Sequence, residues 1–183
     1  MPTRDDIRKF PLDGALALHP DFYADARWFE FERREVFAKS WQLAGPAAWA
    51  AAAGDHFVAD VAGASILVVR DEQGALRAFH NACRHRGAPI ASCAGAGAKR
   101  FNCPYHGWSY RLDGSLRAAP EMQSARDFRL SDYGLKAVRL EEWMGLVFVT
   151  LSGETPPLAD FLGGVAERIA PIDLASMRFR RRA

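Results

Sequence analysis

Two short segments each hold one cysteine and one histidine: Cys83-Arg84-His85-Arg86-Gly87 and Cys103-Pro104-Tyr105-His106-Gly107-Trp108. Thiolates and imidazoles are the side chains that hold zinc, copper and iron–sulfur centres. Four such groups can do one of two things. A Cys2His2 set can close a tetrahedral zinc, but zinc fingers usually pair Cys with Cys in one knuckle and His with His in the other. Here each segment mixes the types. That mixture suits a two-iron cluster in which both thiolates go to one iron and both imidazoles to the other. The plain alternative is a set of buried thiols and packed histidines. It fits poorly with two Cys/His pairs that each carry a glycine just behind the histidine.

The neighbours of these four residues have readings of their own. Gly87 and Gly107 either let backbone N–H groups approach a bound cluster or serve turn geometry. Trp108 either shields the site from water or opens the next strand as a core aromatic. Arg84 and Arg86 bracket His85 and could dock an acidic electron donor, whereas Lys99 reads as part of a solvated face with Arg100 beside it. Cys93 lies in an Ala/Gly-rich stretch with no partner at ligand spacing and reads as a free thiol. His80 reads as a packed strand residue, and His19 and His56 carry no motif.

The site needs rigid supports, and the middle of the chain supplies strand patterns. Phe57, Ala59 and Val61 alternate with Val58 and Asp60, and Ile66–Val69 is a continuous apolar, β-branched-rich run suited to a buried strand. Asp71-Glu72-Gln73-Gly74 predicts a turn and Leu76–His80 the strand that returns from it. That strand and a short one at Arg100–Asn102 lead into the two Cys/His segments, placing the four ligand candidates at adjacent loop tips. Asp113-Gly114, between Tyr110 and Leu116, predicts a two-residue hairpin. Ala137–Leu140 and Leu146–Leu151 predict a further pair turning at Met144-Gly145. Outside this block, residues 1–20 read as an arm. A helix is expected over about 24–39, with Phe22, Ala26, Phe29, Val36 and Phe37 on its apolar side. Ala47–Gly54 reads as a connector and Leu158–Ala170 as weakly helical. The expected fold is mainly β.

Composition narrows the partners. Half the 183 residues are apolar and a quarter charged, so one domain with a real core is expected and disorder is not. Lys and Arg (24) nearly cancel Asp and Glu (22), which makes nucleic acid and membrane surfaces poor partners. No apolar run is long enough to cross a bilayer or to form a signal-peptide core. Three cysteines without an export signal favour a metal or redox role in the cytoplasm over a disulfide scaffold.

The pair CRHRG and CPYHGW resembles the Rieske [2Fe–2S] signature of ring-hydroxylating and related non-haem-iron oxygenases. The likeness extends over most of residues 20–151. It takes in the helix before Trp41, Phe79-His80-Asn81, Trp108-Ser109-Tyr110 with its Asp-Gly turn, and Trp143-Met144-Gly145-Leu146-Val147-Phe148-Val149. It implies an antiparallel β-sandwich with a two-loop cluster-binding subdomain at about 81–110, an N-terminal arm and helix over 1–40, and a Rieske domain over 41–151. Residues 152–183, with a short helical segment and a strand opening at Met177–Ala183, would begin a catalytic domain. By the same resemblance Cys83 and Cys103 bind one iron and His85 and His106 the other, with Arg84, Arg86, Gly87, Tyr105, Gly107 and Trp108 around them.

The resemblance also sets expectations for function. The module would take one electron from a ferredoxin or flavin reductase and pass it to a mononuclear iron in a catalytic domain, in related oxygenases usually that of a neighbouring subunit in a homotrimer. A stand-alone Rieske ferredoxin is the alternative of another class, and a structural zinc module a further one. High-potential Rieske proteins carry a loop disulfide and a Ser after the second His-Gly. Here Ala88, Tyr105 and Trp108 occupy those places, so a low potential is expected, of the order of −150 mV. No histidine follows His106. The two-His-one-carboxylate site for mononuclear Fe(II) is therefore expected only in a separate catalytic domain, and these residues alone should not activate oxygen.

Overall fold

The structure, a computed structural model, describes residues 2–3, 5–6, 20–122, 124–173 and 176–177. Most of the arm over 1–20, with His19, and the tail after Met177 lie outside the described residues.

The apolar run at Ile66–Val69 becomes the centre of strand β3 (Ala64–Arg70), and all four residues are fully buried. Such a run requires burial on both faces of a sheet. Ile66 and Val68 face one core with Phe57, Ala78, Val147 and Val149. Leu67 and Val69 face a second core with Phe79, Ile90, Trp108 and Tyr110. At about 2 kcal/mol for each buried aliphatic side chain, β3 holds the sheet and the site-bearing subdomain together.

Around β3 lie β1 (Gln42–Pro46), β2 (His56–Val61), β4 (Leu76–His80), β8 (Ala137–Trp143) and β9 (Leu146–Thr150). They form a six-stranded sheet in the order β1-β9-β8-β4-β3-β2, antiparallel throughout. A second, three-stranded sheet joins β5 (Phe101–Asn102), β6 (Ser109–Tyr110) and β7 (Leu116–Ala118). The fold is mainly β, a near-barrel antiparallel sheet carrying a small subdomain.

The Asp71 turn forms as expected. The fully buried Asp71 carboxylate accepts from the Gln73 and Ala75 amides and from Arg77 Nε. Met144 and Gly145, with φ of 50° and 76°, make the tight β8–β9 turn. Asp113-Gly114, however, sits inside a wider turn. Tyr110 pairs with Leu116, and Arg111 N–H closes onto Ser115 O because the Asp113 carboxylate captures the Ser115 amide and hydroxyl.

The N-terminal helix also differs from expectation. Asp25 accepts from the Arg27 amide and starts a new helix, so the segment splits into α1 (Asp21–Ala24) and α2 (Ala26–Glu35), followed by a 3-10 turn at Phe37–Lys39. Its buried residue is Phe31, packed edge-on against Trp28, which stacks on Phe22; Phe29, Val36 and Phe37 are exposed. The Ala47–Gly54 stretch opens with a 3-10 turn (Ala47–Ala50) that buries Ala47 and Ala50. The weak helix after Pro157 is two helices, α3 (Leu158–Leu162) and α4 (Val165–Ile169), interrupted at Gly163-Gly164.

Candidate metal centre

The two Cys/His segments fold as twin turns. In the first, Cys83 N–H donates to Ala88 O and Gly87 N–H to Cys83 O, both at 2.8 Å. In the second, Cys103 N–H donates to Trp108 O at 2.7 Å and Gly107 N–H to Cys103 O at 3.1 Å. Each turn closes through a glycine with φ near +70°, a backbone conformation that side-chain-bearing residues rarely adopt. The glycine amides are thus committed to loop carbonyls, and turn geometry accounts for both glycines.

The turns bring the two histidines together and place the two cysteines in one buried cluster. Cys83 and Cys103 are free thiols, each 4% exposed, in one buried cluster with Trp108 and Tyr110. The His85 and His106 rings lie 4.6 Å apart. Both Nδ1 atoms are shut from solvent and have no hydrogen-bond partner among the described residues. A buried ring nitrogen left without a partner is costly, so two on neighbouring rings make His85 and His106 candidate metal ligands. Burial first, then His106 and Arg86, hold the His85 imidazole below its usual range. Among the described residues no three His, Cys, Asp or Glu side chains gather as a single metal ion would require.

The surrounding side chains fix the rings. Trp108, 2% exposed, stacks on His85 at 4.9 Å and 7°, and meets Phe128 and Tyr133 edge-on. It is a core aromatic and a cover for His85 at once. Tyr105 lies 3.9 Å from the His106 ring and is itself exposed. Arg86, Lys99 and Arg100 are exposed, and Arg84 is half-buried. Cys93 is exposed, with only the Ser92 hydroxyl near it, at 4.0 Å. His80 is a half-buried β4 residue, as read from the sequence. His56 bonds Gly54 O through Nδ1 and meets Phe101 edge-on, away from the centre's rings.

Two positioning residues carried no assignment in the sequence reading. Asn81 uses its whole amide: Oδ1 accepts from Ile90 and Ala91 N–H, and Nδ2 donates to Ser65 Oγ and Ala91 O. It ties the first loop's return to β3. The Tyr110 hydroxyl accepts the Arg84 amide at 2.9 Å, which leaves its single proton for Cys83 Sγ at 3.2 Å. Burial, and then the bond shared with Cys83, push this phenol far above its ordinary range, so it stays protonated and donates. The spacing Trp108-x-Tyr110 was the available signal, since alternate strand residues share a face.

Comparison with known proteins identifies the family. The Rieske [2Fe–2S] domain family matches residues 40–136. The glycine betaine monooxygenase oxygenase subunit of Chromohalobacter salexigens is 36% identical over 176 residues, covering 96% of this chain and 39% of that protein. The biphenyl 2,3-dioxygenase subunit alpha of Rhodococcus jostii is 37% identical over 159 residues, 86% of this chain and 35% of that protein. A solved quaternary ammonium Rieske monooxygenase, described for carnitine oxidation and inter-subunit electron transfer, superposes with a TM-score of 0.78 at 33% identity, covering 82% of this chain and 41% of that one. The chain spans about two fifths of the length of the curated relatives it matches. The match over residues 40–136, with relatives that are oxygenase subunits, shows that the chain belongs to the Rieske [2Fe–2S] domain family.

Proposed function

We propose that the chain is the electron-transfer module of a Rieske-type oxygenase α subunit, with Cys83 and Cys103 on one iron and His85 and His106 on the other. The observation that carries this reading is two buried, unpartnered Nδ1 atoms on neighbouring His85 and His106 rings, together with two buried thiols. That donor set, two thiols and two imidazoles, fits a [2Fe–2S] group. When bound, the group supplies a one-electron carrier.

The chain's own residues hold and tune it. Asn81 and the two glycines set the loop backbones. Trp108 excludes water from one face of His85, and Tyr110 directs a proton at Cys83 Sγ. The exposed edge around His85 and His106 borders a hollow of about 460 Å³ with Arg86, Tyr105 and Met122, which suits an electron acceptor at short range. The acceptor is a mononuclear-iron catalytic domain, which residues 152–183 would begin, and a homotrimer would present it from a neighbouring subunit. The donor is a ferredoxin or flavin reductase. The free thiols fit a cytoplasmic setting.

Anaerobic reconstitution followed by iron and sulfide analysis and EPR tests the reading. Two irons, two sulfides and a rhombic signal after reduction are expected. A colourless single-metal protein refutes it.

A further inference from the structure

Among the described residues, three buried side-chain nitrogens have no hydrogen-bond partner: His85 Nδ1, His106 Nδ1 and Arg84 Nε. The first two are placed on iron above. The third is a donor and no metal ligand, because a guanidinium has no lone pair to give. A buried N–H without an acceptor is rare and costly. Arg84 lies inside the first turn, between Cys83 and His85, and its backbone is fixed there. Its amide donates to the Tyr110 hydroxyl at 2.9 Å, and Tyr110 is fully buried. The Arg84 side chain lines a cavity of about 370 Å³ with Cys83 and Gly87, and no carboxylate is among the residues around that cavity. The Cys83 Sγ atom bonds the Tyr110 hydroxyl and is no partner of Arg84 Nε either. Arg86, two residues on, is exposed.

We propose that Arg84 Nε–H donates to a sulfide of the bound [2Fe–2S] group, which makes Arg84 a further cluster-binding residue. The proposal rests on the cluster assignment above. Sulfide is the acceptor that the group brings and that the surrounding side chains do not supply. Hydrogen bonds to the sulfurs set the potential of such clusters. A donated N–H and a fixed positive charge both favour the state with the added electron, so Arg84 raises the potential. It shares this task with Tyr110, which serves the Cys83 sulfur from the strand side.

Pulsed EPR and redox titration of the reconstituted full chain test this. With arginine carrying nitrogen-15 only in its guanidino group, the reduced parent should show a weak nitrogen-15 coupling, distinct from the stronger couplings of the two imidazoles. Arg86→Gln should keep that coupling and Arg84→Lys should lose it. In redox titrations Arg84→Gln should make reduction about tenfold less favourable than in the parent, a potential about 59 mV lower for one electron. Arg84→Lys keeps the charge without the Nε–H, and should recover no more than about half of that shift. Arg86→Gln should alter the equilibrium less than about twofold, as an exposed and screened charge does. A loaded parent without the nitrogen-15 coupling overturns the proposal, and that measurement depends on no variant folding; Nε would then face a bound water. An unchanged equilibrium in Arg84→Gln overturns it as well. So does full recovery in Arg84→Lys, which would leave Arg84 only a nearby charge. A parent protein without a rhombic EPR signal fails earlier, at the cluster assignment, and takes this inference with it.

Discussion

Tyr110→Phe removes one oxygen and with it two hydrogen bonds at the centre. The hydroxyl spends its acceptor capacity on the Arg84 amide and its proton on Cys83 Sγ, 3.2 Å away. A hydrogen bond to sulfur stabilises the state with more negative charge, which is the reduced cluster. Bonds to charged groups contribute about 1.5–3 kcal/mol, and only part of that differs between the two redox states. A difference of about 1.4 kcal/mol corresponds to about 60 mV for one electron. The variant's potential should therefore fall by roughly 60 mV from the parent's, itself expected near −150 mV at the low end of the Rieske range. The substitution also orphans the Arg84 N–H, at a further cost of about 1–3 kcal/mol in stability. Denaturant unfolding reads that cost separately, and an EPR- or circular-dichroism-monitored redox titration of the loaded protein reads the potential. A potential unchanged within about 10 mV, or raised, would refute the role assigned to the phenol.

Cys83→Ala or His106→Ala should abolish the rhombic EPR signal, whereas the exposed Cys93→Ser should retain it at full intensity. Bleaching by Cys93→Ser would overturn the ligand set. Asn81→Ala strips four hydrogen bonds from a buried loop anchor and should cost about 2–4 kcal/mol with a matching loss of iron loading; full loading at parental stability in denaturant would contradict it. For Asp71, desolvation opposes ionisation, but Arg77 and the Ala75 and Gln73 amides outweigh it and hold the carboxyl below its ordinary 3.8. A depressed folded-state value means stability present above about pH 4 and lost as pH falls further. Asp71→Asn should thus melt lower at pH 7 and lose less on acidification to pH 3 than the parent, as thermal scans at the two pH values would show.

Local chemistry made much of this protein legible from its sequence. The Cys/His segments carry their own turn glycines, Ile66–Val69 could satisfy only a doubly covered strand, and Leu76–His80 returns from a self-contained Asp71 turn. What escaped depends on distant partners. Strand β1, Gln42-Leu43-Ala44-Gly45-Pro46, has little strand propensity and exists through pairing with β9, about a hundred residues later. The helix face was misread because the Asp25 side chain restarts the helix and leaves Trp28 and Phe31, rather than Phe29, to pack. Asn81 and Tyr110 look like ordinary loop and strand residues until the fold brings Ala91 and Cys83 to them.

The twin closure at Cys83–Ala88 and Cys103–Trp108 makes the two fingers copies of one backbone design, differing in which slot holds the imidazole: third in one, fourth in the other. Handedness at the centre therefore resides in side-chain order while the scaffold repeats itself. Exchanging the residues at 85 and 86 would keep the finger's shape and re-aim its nitrogen, a minimal edit by which a designer could ask how tightly metal capture depends on ring direction alone.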